Sequence, residues 1–211
     1  MENIFFDLDG TLLESRPRLY KLFQQMVPLS GLSFDEYWAL KRNKTAHKEI
    51  LRDLFNYQPM EITRFEADWL KQIEQPEWLI LDEPFAGISD YLKALKQTHK
   101  VFIVTSRQSE KMAFEQISRF GWLEMIDKLL VTGQVQEKYD LIKNEVKVSS
   151  GDWLVGDTGK DIQTGKRLGM NTAAVLTGFL NREKLAEYEP DIIETEATRL
   201  NFNQLNKLRT T

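Results

Sequence analysis

The sequence predicts an α/β protein: a Rossmann-like, doubly wound parallel sheet interrupted by an inserted block of helices. Three observations carry that reading. The apolar run Ile4-Phe5-Phe6 ends in Asp7-Leu8-Asp9-Gly10-Thr11-Leu12, the pattern of a buried strand that delivers polar groups at its C-terminal edge. After Pro84, short β-rich apolar runs alternate with amphipathic helical segments, the order of a parallel sheet covered on both faces. Between these two regions, residues 15 to about 82 read as almost purely helical.

The elements follow in order. Ser33-Phe34-Asp35-Glu36 is a capping box, with Leu32 and Tyr37 placed to form a hydrophobic staple. Thr63-Arg64-Phe65-Glu66 repeats the signature ahead of Trp69, Leu70 and Ile73 at helical spacing. Pro76 and then Asp82-Glu83-Pro84 close the block with turn chemistry. Residues 88–97 form an amphipathic helix and Val101-Phe102-Ile103-Val104 a strand. Residues 109–120 form a helix stopped by Gly121, residues 128–131 a strand and residues 138–145 a helix. Trp153-Leu154-Val155 is a strand ending at Gly156-Asp157, and residues 161–168 a helix stopped by Gly169. Residues 172–176 form a further strand and Asp191-Ile192-Ile193 a possible last one. The expected division is a core of residues 1–14 plus 83–211 and a helical domain of residues 15–82. The crossings near residues 14–18 and 79–84 would act as hinges.

Composition bounds the function. A chain of 211 residues, 42% apolar, can bury a substantial core. A net charge of −4 argues against a general nucleic-acid binder. The absence of cysteine removes disulfides and thiolate chemistry and fits a reducing compartment. Met1-Glu2-Asn3 brings no basic region before its short apolar run, unlike a signal peptide, and no apolar stretch is long enough to span a bilayer. The expectation is a cytoplasmic protein with no membrane or nucleic-acid partner. Repeats and low-complexity tracts are lacking, and no pattern specifies an oligomeric state.

Several polar residues sit where strands are predicted to end: Asp7 and Asp9, Thr105 and Ser106, Asp157 with Asp161, and Lys138 before its helix. In a parallel sheet these ends face one crevice. Asp7 and Asp9 are two residues apart, so on a continuing strand they point the same way with Leu8 turned into the packing. Two acids leaving a strand together are costly unless a cation or a reaction uses them; the plainer alternative is a strand followed by an Asp-Gly turn. Carboxylates, hydroxyls and one ammonium form a coherent Mg²⁺ and phosphate site, because Mg²⁺ prefers hard oxygen ligands and shares a substrate phosphate.

Asp7-Leu8-Asp9-Gly10-Thr11, the strand-end Thr105, Lys138 and Gly156-Asp157-Thr158-Gly159-Lys160-Asp161 occur in that order. With them the chain resembles, over nearly its whole length, the haloacid dehalogenase (HAD) superfamily, and within it the phosphatases that carry a helical cap. The resemblance implies a HAD-like core with a cap and a set of roles. Asp7 would be the nucleophile, forming an aspartyl-phosphate. Asp9 would be general acid and then base, kept protonated part of the time by crowded carboxylates. The Asp7 carboxylate, the Asp9 backbone carbonyl and Asp157 would bind Mg²⁺. Asp161 would join them as a metal ligand, or help only through water or as a cap of its helix. Thr105 would hold phosphoryl oxygens, and Lys138 would pair with Asp7 and the phosphoryl group. The chain departs from the pattern where Tyr139 replaces the proline often found after the lysine, which leaves Lys143 or Lys147 as alternatives, and where Glu14-Ser15 replaces Asp-Ser. Asp9 with Thr11 favours phosphate over halide chemistry.

Candidate substrate contacts are Thr11, Ser106, Arg107, Arg16 and Lys41. Arg107 equally well starts a helix, and Arg16 equally well sits on the surface. Residues 41–48 carry four cations and no acid, either a docking patch for a second anionic group or, more plainly, a solvated helix turn. His47 and His99 have no metal spacing, and Phe34, Tyr37 and Trp38 read as packing inside the cap. The resulting expectation is a Mg²⁺-dependent phosphatase acting on a small phosphorylated metabolite such as phosphoglycolate, a sugar phosphate or a nucleoside monophosphate. The alternatives are a phosphomutase of the β-phosphoglucomutase type and a non-catalytic phosphate-binding or regulatory protein on the same scaffold.

Overall fold

The computed structural model describes residues 1–209. Its centre is a six-stranded, all-parallel sheet. The strands are β1 (Asn3–Phe6), β4 (Lys100–Thr105), β5 (Lys128–Val131), β6 (Trp153–Gly156), β7 (Asn171–Val175) and β8 (Ile192–Glu194), in the spatial order β5-β4-β1-β6-β7-β8. Phe5 lies opposite Phe102 on one side and Leu154 on the other. The chain builds outward from β1 through β4 to β5, then crosses back to β6 on the opposite flank. The carboxyl end of β1 is therefore the switch point of the sheet, where ligands bind in folds of this kind.

Double winding is written residue by residue in the strands, because alternate side chains face opposite ways. Ile4, Phe6, Val101, Ile103, Trp153 and Val155 join one apolar cluster. It also takes in Ile88 and Leu92 from α6 (Ile88–Leu95), Ile117 from α7 (Glu110–Arg119) and Phe202 at the start of α11 (Phe202–Arg209). Phe5, Phe102, Val104 and Leu154 join another, with Leu141 and Ile142 from α8 (Lys138–Glu145). A smaller cluster joins Ala174 to Ile162 of α9 (Gly159–Arg167) and Leu185 of α10 (Arg182–Ala186).

Five helices lie between two short strands: α1 (Arg16–Met26), α2 (Phe34–Arg42), α3 (His47–Phe55), α4 (Pro59–Gln72) and α5 (Pro76–Leu79). The strands that bracket them, β2 (Leu13–Glu14) and β3 (Glu83–Pro84), pair antiparallel, Leu13 opposite Pro84 and Glu14 opposite Glu83. The helices bury their own apolar cluster, including Leu22, Phe23, Tyr37, Trp38, Phe65 and Trp69. At the start of α2 the expected capping box is present: Glu36 N donates to Ser33 Oγ and Ser33 N donates to Glu36 Oε2. The second box is not. α4 begins five residues earlier, at Pro59, whose fixed φ suits a first helical position and whose missing N–H is no loss there. Glu61 accepts from Gln58 N, and Thr63 lies inside the helix with its hydroxyl donating to the Pro59 carbonyl. The β2–β3 pair, α10 and α11 had no reading from sequence. Among the described residues no helix is long and apolar enough to cross a membrane.

Two substitutions separate core from surface. Ile103→Ala, at a fully buried site, is expected to cost about 2–5 kcal/mol in urea unfolding. Thr63→Ala removes no cap and is expected to stay within about 0.5 kcal/mol. A Thr63→Ala loss as large as that of a true N-cap would restore the later helix start.

Candidate active site

Asp7 follows β1 directly, and its backbone N–H donates to the Val155 carbonyl of the neighbouring strand, so the carboxylate leaves the sheet at the switch point. Lys138, the first residue of α8, sends its ammonium to Asp7 Oδ1 and to Asp161 Oδ1, each at 2.6 Å. Asp161 divides its two oxygens: Oδ1 takes Lys138, while Oδ2 accepts from the Thr158 N–H and hydroxyl at the start of α9. Asp157, fully buried after β6, accepts from Thr11 Oγ1 at 3.3 Å and from Phe179 N at 2.6 Å. Gly10 is required beside it: φ is +82°, and a Cβ there would lie 2.6 Å from Asp157 Oδ2.

Asp7, Asp157 and Asp161 each offer an oxygen within 4.8 Å of the others. With all three carboxyls ionised, one ammonium would leave two negative charges in a buried space. The carboxyl groups register that excess. Burial pushes Asp7 up to about 6 against the pull of Lys138. Burial, and then Asp7 and Asp161, push Asp157 well above the ordinary carboxylate range. Lys138 is raised as well, which in a lysine favours the charged form: burial opposes that charge, but Asp161 and Asp7 together outweigh it. An all-oxygen donor set with two uncompensated charges fits a hard divalent cation such as Mg²⁺. Asp7 and Asp161 open on a cavity of about 1100 Å³ whose wall includes Thr105, Ser106, Arg107, Gln134 and Phe179, with Asp157 buried behind them.

The chain matches the model of the haloacid dehalogenase-like hydrolase family over residues 4–175. It is 26% identical over 208 residues to a phosphoglycolate phosphatase of Aquifex aeolicus, covering 90% of this chain and 91% of that one. It is 24% identical over 204 residues to an N-acetylmuramic acid 6-phosphate phosphatase of Pseudomonas aeruginosa, covering 92% and 90%. The fold superposes on a haloacid dehalogenase-like family protein from Streptococcus pneumoniae with a TM-score of 0.75 at 18% identity, covering 99% and 98% of the two chains. The chain belongs to the haloacid dehalogenase-like hydrolase family. It is a phosphatase-type hydrolase acting on phosphate esters.

Asp9 stands apart from the carboxylate cluster in this haloacid dehalogenase-like hydrolase. Arg107 grips it with two bonds, Nε to Oδ2 at 2.8 Å and Nη2 to Oδ1 at 2.7 Å, and Arg18 of α1 donates to Oδ1. Both guanidiniums also reach Asp82, which is fully buried: Arg18 Nε to Oδ1 at 2.9 Å and Arg107 Nη2 to Oδ2 at 3.1 Å. Burial raises the Asp9 carboxyl, but Arg107 and Arg18 outweigh it and hold the group well below the usual range. The expectation that crowded carboxylates keep Asp9 protonated is therefore overturned; its neighbours are cations.

Other expected contacts are also reassigned. Thr11 is fully buried, donates its hydroxyl to Asp157 and does not line the cavity. Arg16 forms a two-point ion pair with Glu14 of β2. Lys41 donates to the Thr45 carbonyl inside the helical layer, where burial, partly opposed by Glu49, lowers it to about 8. Arg42 and Lys44 of the same basic segment contact the Leu176 carbonyl and the Tyr188 hydroxyl, while Lys44 and Lys48 remain exposed, so the segment rests against the loops after β7 and α10 with part of its charge in solvent. Arg107 lies on the cavity wall with two of its nitrogens committed to carboxylates. Thr105, buried, and Ser106, exposed, face the cavity as expected. Lys138 is the lysine beside Asp7, whereas Lys143 sits against Tyr139.

Sequence reasoning missed Arg18, Glu74 and Asp82. Asp82 reads as part of an Asp-Glu-Pro turn, and only its total burial distinguishes it. Glu74 caps α7 across the two parts of the molecule, accepting from Gln108 N at 2.8 Å and Ser109 N at 3.0 Å. Asp82→Ala would leave two guanidiniums sharing one carboxylate in a buried site, and a loss of about 3–5 kcal/mol is expected in chemical unfolding. A loss below about 1 kcal/mol would show that water solvates the network.

Proposed function

We propose that this hydrolase is a Mg²⁺-dependent phosphatase that moves the phosphoryl group of a small phosphomonoester first to Asp7 and then to water. One observation supports the reading above the rest: a strand-end carboxylate, Asp7, lies beside a buried lysine and two further carboxylates at the switch point of the sheet. In the first step an Asp7 oxygen bonds to phosphorus as the ester oxygen leaves and takes a proton. In the second, water attacks the same phosphorus, gives up a proton and frees Asp7. Asp9 would accept the proton of the attacking water; the grip of Arg107 and Arg18 keeps it ionised but lowers its basicity, so loosening one of those contacts would strengthen it as a base. To protonate the leaving oxygen in the first step, Asp9 would have to exchange a guanidinium contact for a proton taken from solvent before the substrate is attacked; the attacking water would return that proton in the second step.

Asp7, Asp157 and Asp161 would hold Mg²⁺, with the Asp9 backbone carbonyl that the family resemblance implies. When bound, the ion would offset the repulsion between carboxylate and phosphate and stabilise charge on the phosphoryl oxygens. Thr105 and Ser106 would take those oxygens from the opposite side, and Lys138 would keep Asp7 directed at the cavity. The helices of residues 15–82 would form a cap on a core of residues 1–14 and 83–211. Arg18 on Asp9 and Glu74 on α7 would hold that cap down and exclude water.

Release of inorganic phosphate from a panel of phosphomonoesters is expected to require Mg²⁺. It should fall at least about a thousandfold in Asp7→Asn with an unchanged circular-dichroism spectrum. Activity retained in that variant would sink the assignment. Cation binding should also depend on pH. Without metal, the raised Asp7 carboxyl contributes stability that is fully present below the unfolded carboxylate value and is lost as pH rises through about 6. Mg²⁺ binds the deprotonated form, so the rise in Tm on adding Mg²⁺ should be larger near pH 7.5 than near pH 5. An equal rise at both would remove Asp7 from the metal site.

A further inference from the structure

The loop after β7, residues 176–181, touches both parts of the molecule. Towards the core, Phe179 N donates to Asp157 Oδ2 at 2.6 Å and Thr177 Oγ1 donates to the Gly10 carbonyl at 2.6 Å. Gly178 lies so near that a Cβ would fall 1.9 Å from Asp157 Oδ2. Towards the helices, Asn181 N donates to the Arg42 carbonyl at 3.2 Å and its amide donates to Asn43 Oδ1 at 3.0 Å. The Phe179 ring meets Trp38 of α2 edge-on, centroids 5.4 Å apart. Phe179 thus holds a candidate metal carboxylate with its backbone and the helical layer with its ring.

We propose that this loop is a positioning strap, in which the seating of Trp38 on Phe179 fixes the direction of Asp157 and thereby sets the affinity for the divalent cation. The inference rests on the metal reading given above. The other hydrogen bond to Asp157, from Thr11, is long at 3.3 Å, so the short one from Phe179 N is the tighter constraint on the carboxylate. Groups that orient a ligand from outside the coordination shell commonly change metal affinity by about 10–100-fold. Trp38 acts one step further out, as a positioning residue that touches neither metal nor substrate. Coupling of this kind is reciprocal: if α2 tightens the metal site, the metal must tighten α2.

The test uses the full chain and Mn²⁺ as probe, with free Mn²⁺ read by electron paramagnetic resonance and Mg²⁺ added in competition. Trp38→Ala, and Phe179→Ala, which keeps its backbone N–H, should each weaken binding about three- to tenfold. Ile50→Ala, which loosens the same helical cluster without removing either ring, should stay within about twofold. Wild-type affinity in the two ring variants, or an equal loss in Ile50→Ala, overturns the strap. No cation binding by the wild-type chain overturns the metal reading and the strap with it. Hydrogen exchange on the wild-type protein gives an answer even where a variant fails to fold. Amides of residues 34–42 should slow on adding Mg²⁺, and unchanged rates there overturn the coupling.

Discussion

The ammonium of Lys138, buried and bonded at 2.6 Å to Asp7 and Asp161, is the contact on which the arrangement of this site depends. A parallel sheet that ends its central strands in carboxylates brings like charges together out of water, which is unfavourable unless they are compensated. Lys138 compensates part of that charge and would leave two negative charges over with all three carboxyls ionised. The fold thus stops short of neutrality by the amount a divalent cation supplies, and the raised Asp7 and Asp157 carboxyls are the physical expression of the shortfall.

A second set of charges does different work a few residues away. Asp9 and Asp82 are each shared by Arg18 and Arg107, and the four residues come from the end of β1, from α1, from the turn before β3 and from the loop after β4. Arginine suits this role because its planar fork can meet two carboxylates at once. The network binds the helical layer to the residue that the resemblance identifies as acid and base, so the position of α1 and the surroundings of Asp9 cannot change independently.

The parallel sheet was legible because strand-forming runs and helix periods alternate without interruption after Pro84, and Ile4-Phe5-Phe6 leads straight into Asp7. The Ser33–Glu36 box was legible because all of its chemistry lies within four residues. Thr63-Arg64-Phe65-Glu66 carries the same letters, but Pro59 nucleates the helix one turn earlier and turns the threonine into an interior residue. For the site, Asp7, Lys138, Asp157 and Asp161 could be found because each follows a strand or opens a helix. Asp82, Arg18 and Phe179 could not, since their roles arise from pairings across 9 to 64 positions or from a backbone N–H that has no sequence signature. Asp9 shows the converse: its identity was readable, but its cationic surroundings come from residues distant in the chain.

The β2–β3 pair has a consequence for how such a protein can diversify. Leu13 and Pro84 are neighbours across a ladder, so the helical block leaves the core and returns to it at one point. Whatever lies between those residues closes its own loop and asks nothing of β1 or β4, which stay paired in the same register. The length and sequence of the block can therefore drift without breaking the register of the sheet, provided that the residues reaching the carboxylates, Arg18, Asp82 and Trp38 among them, keep their places.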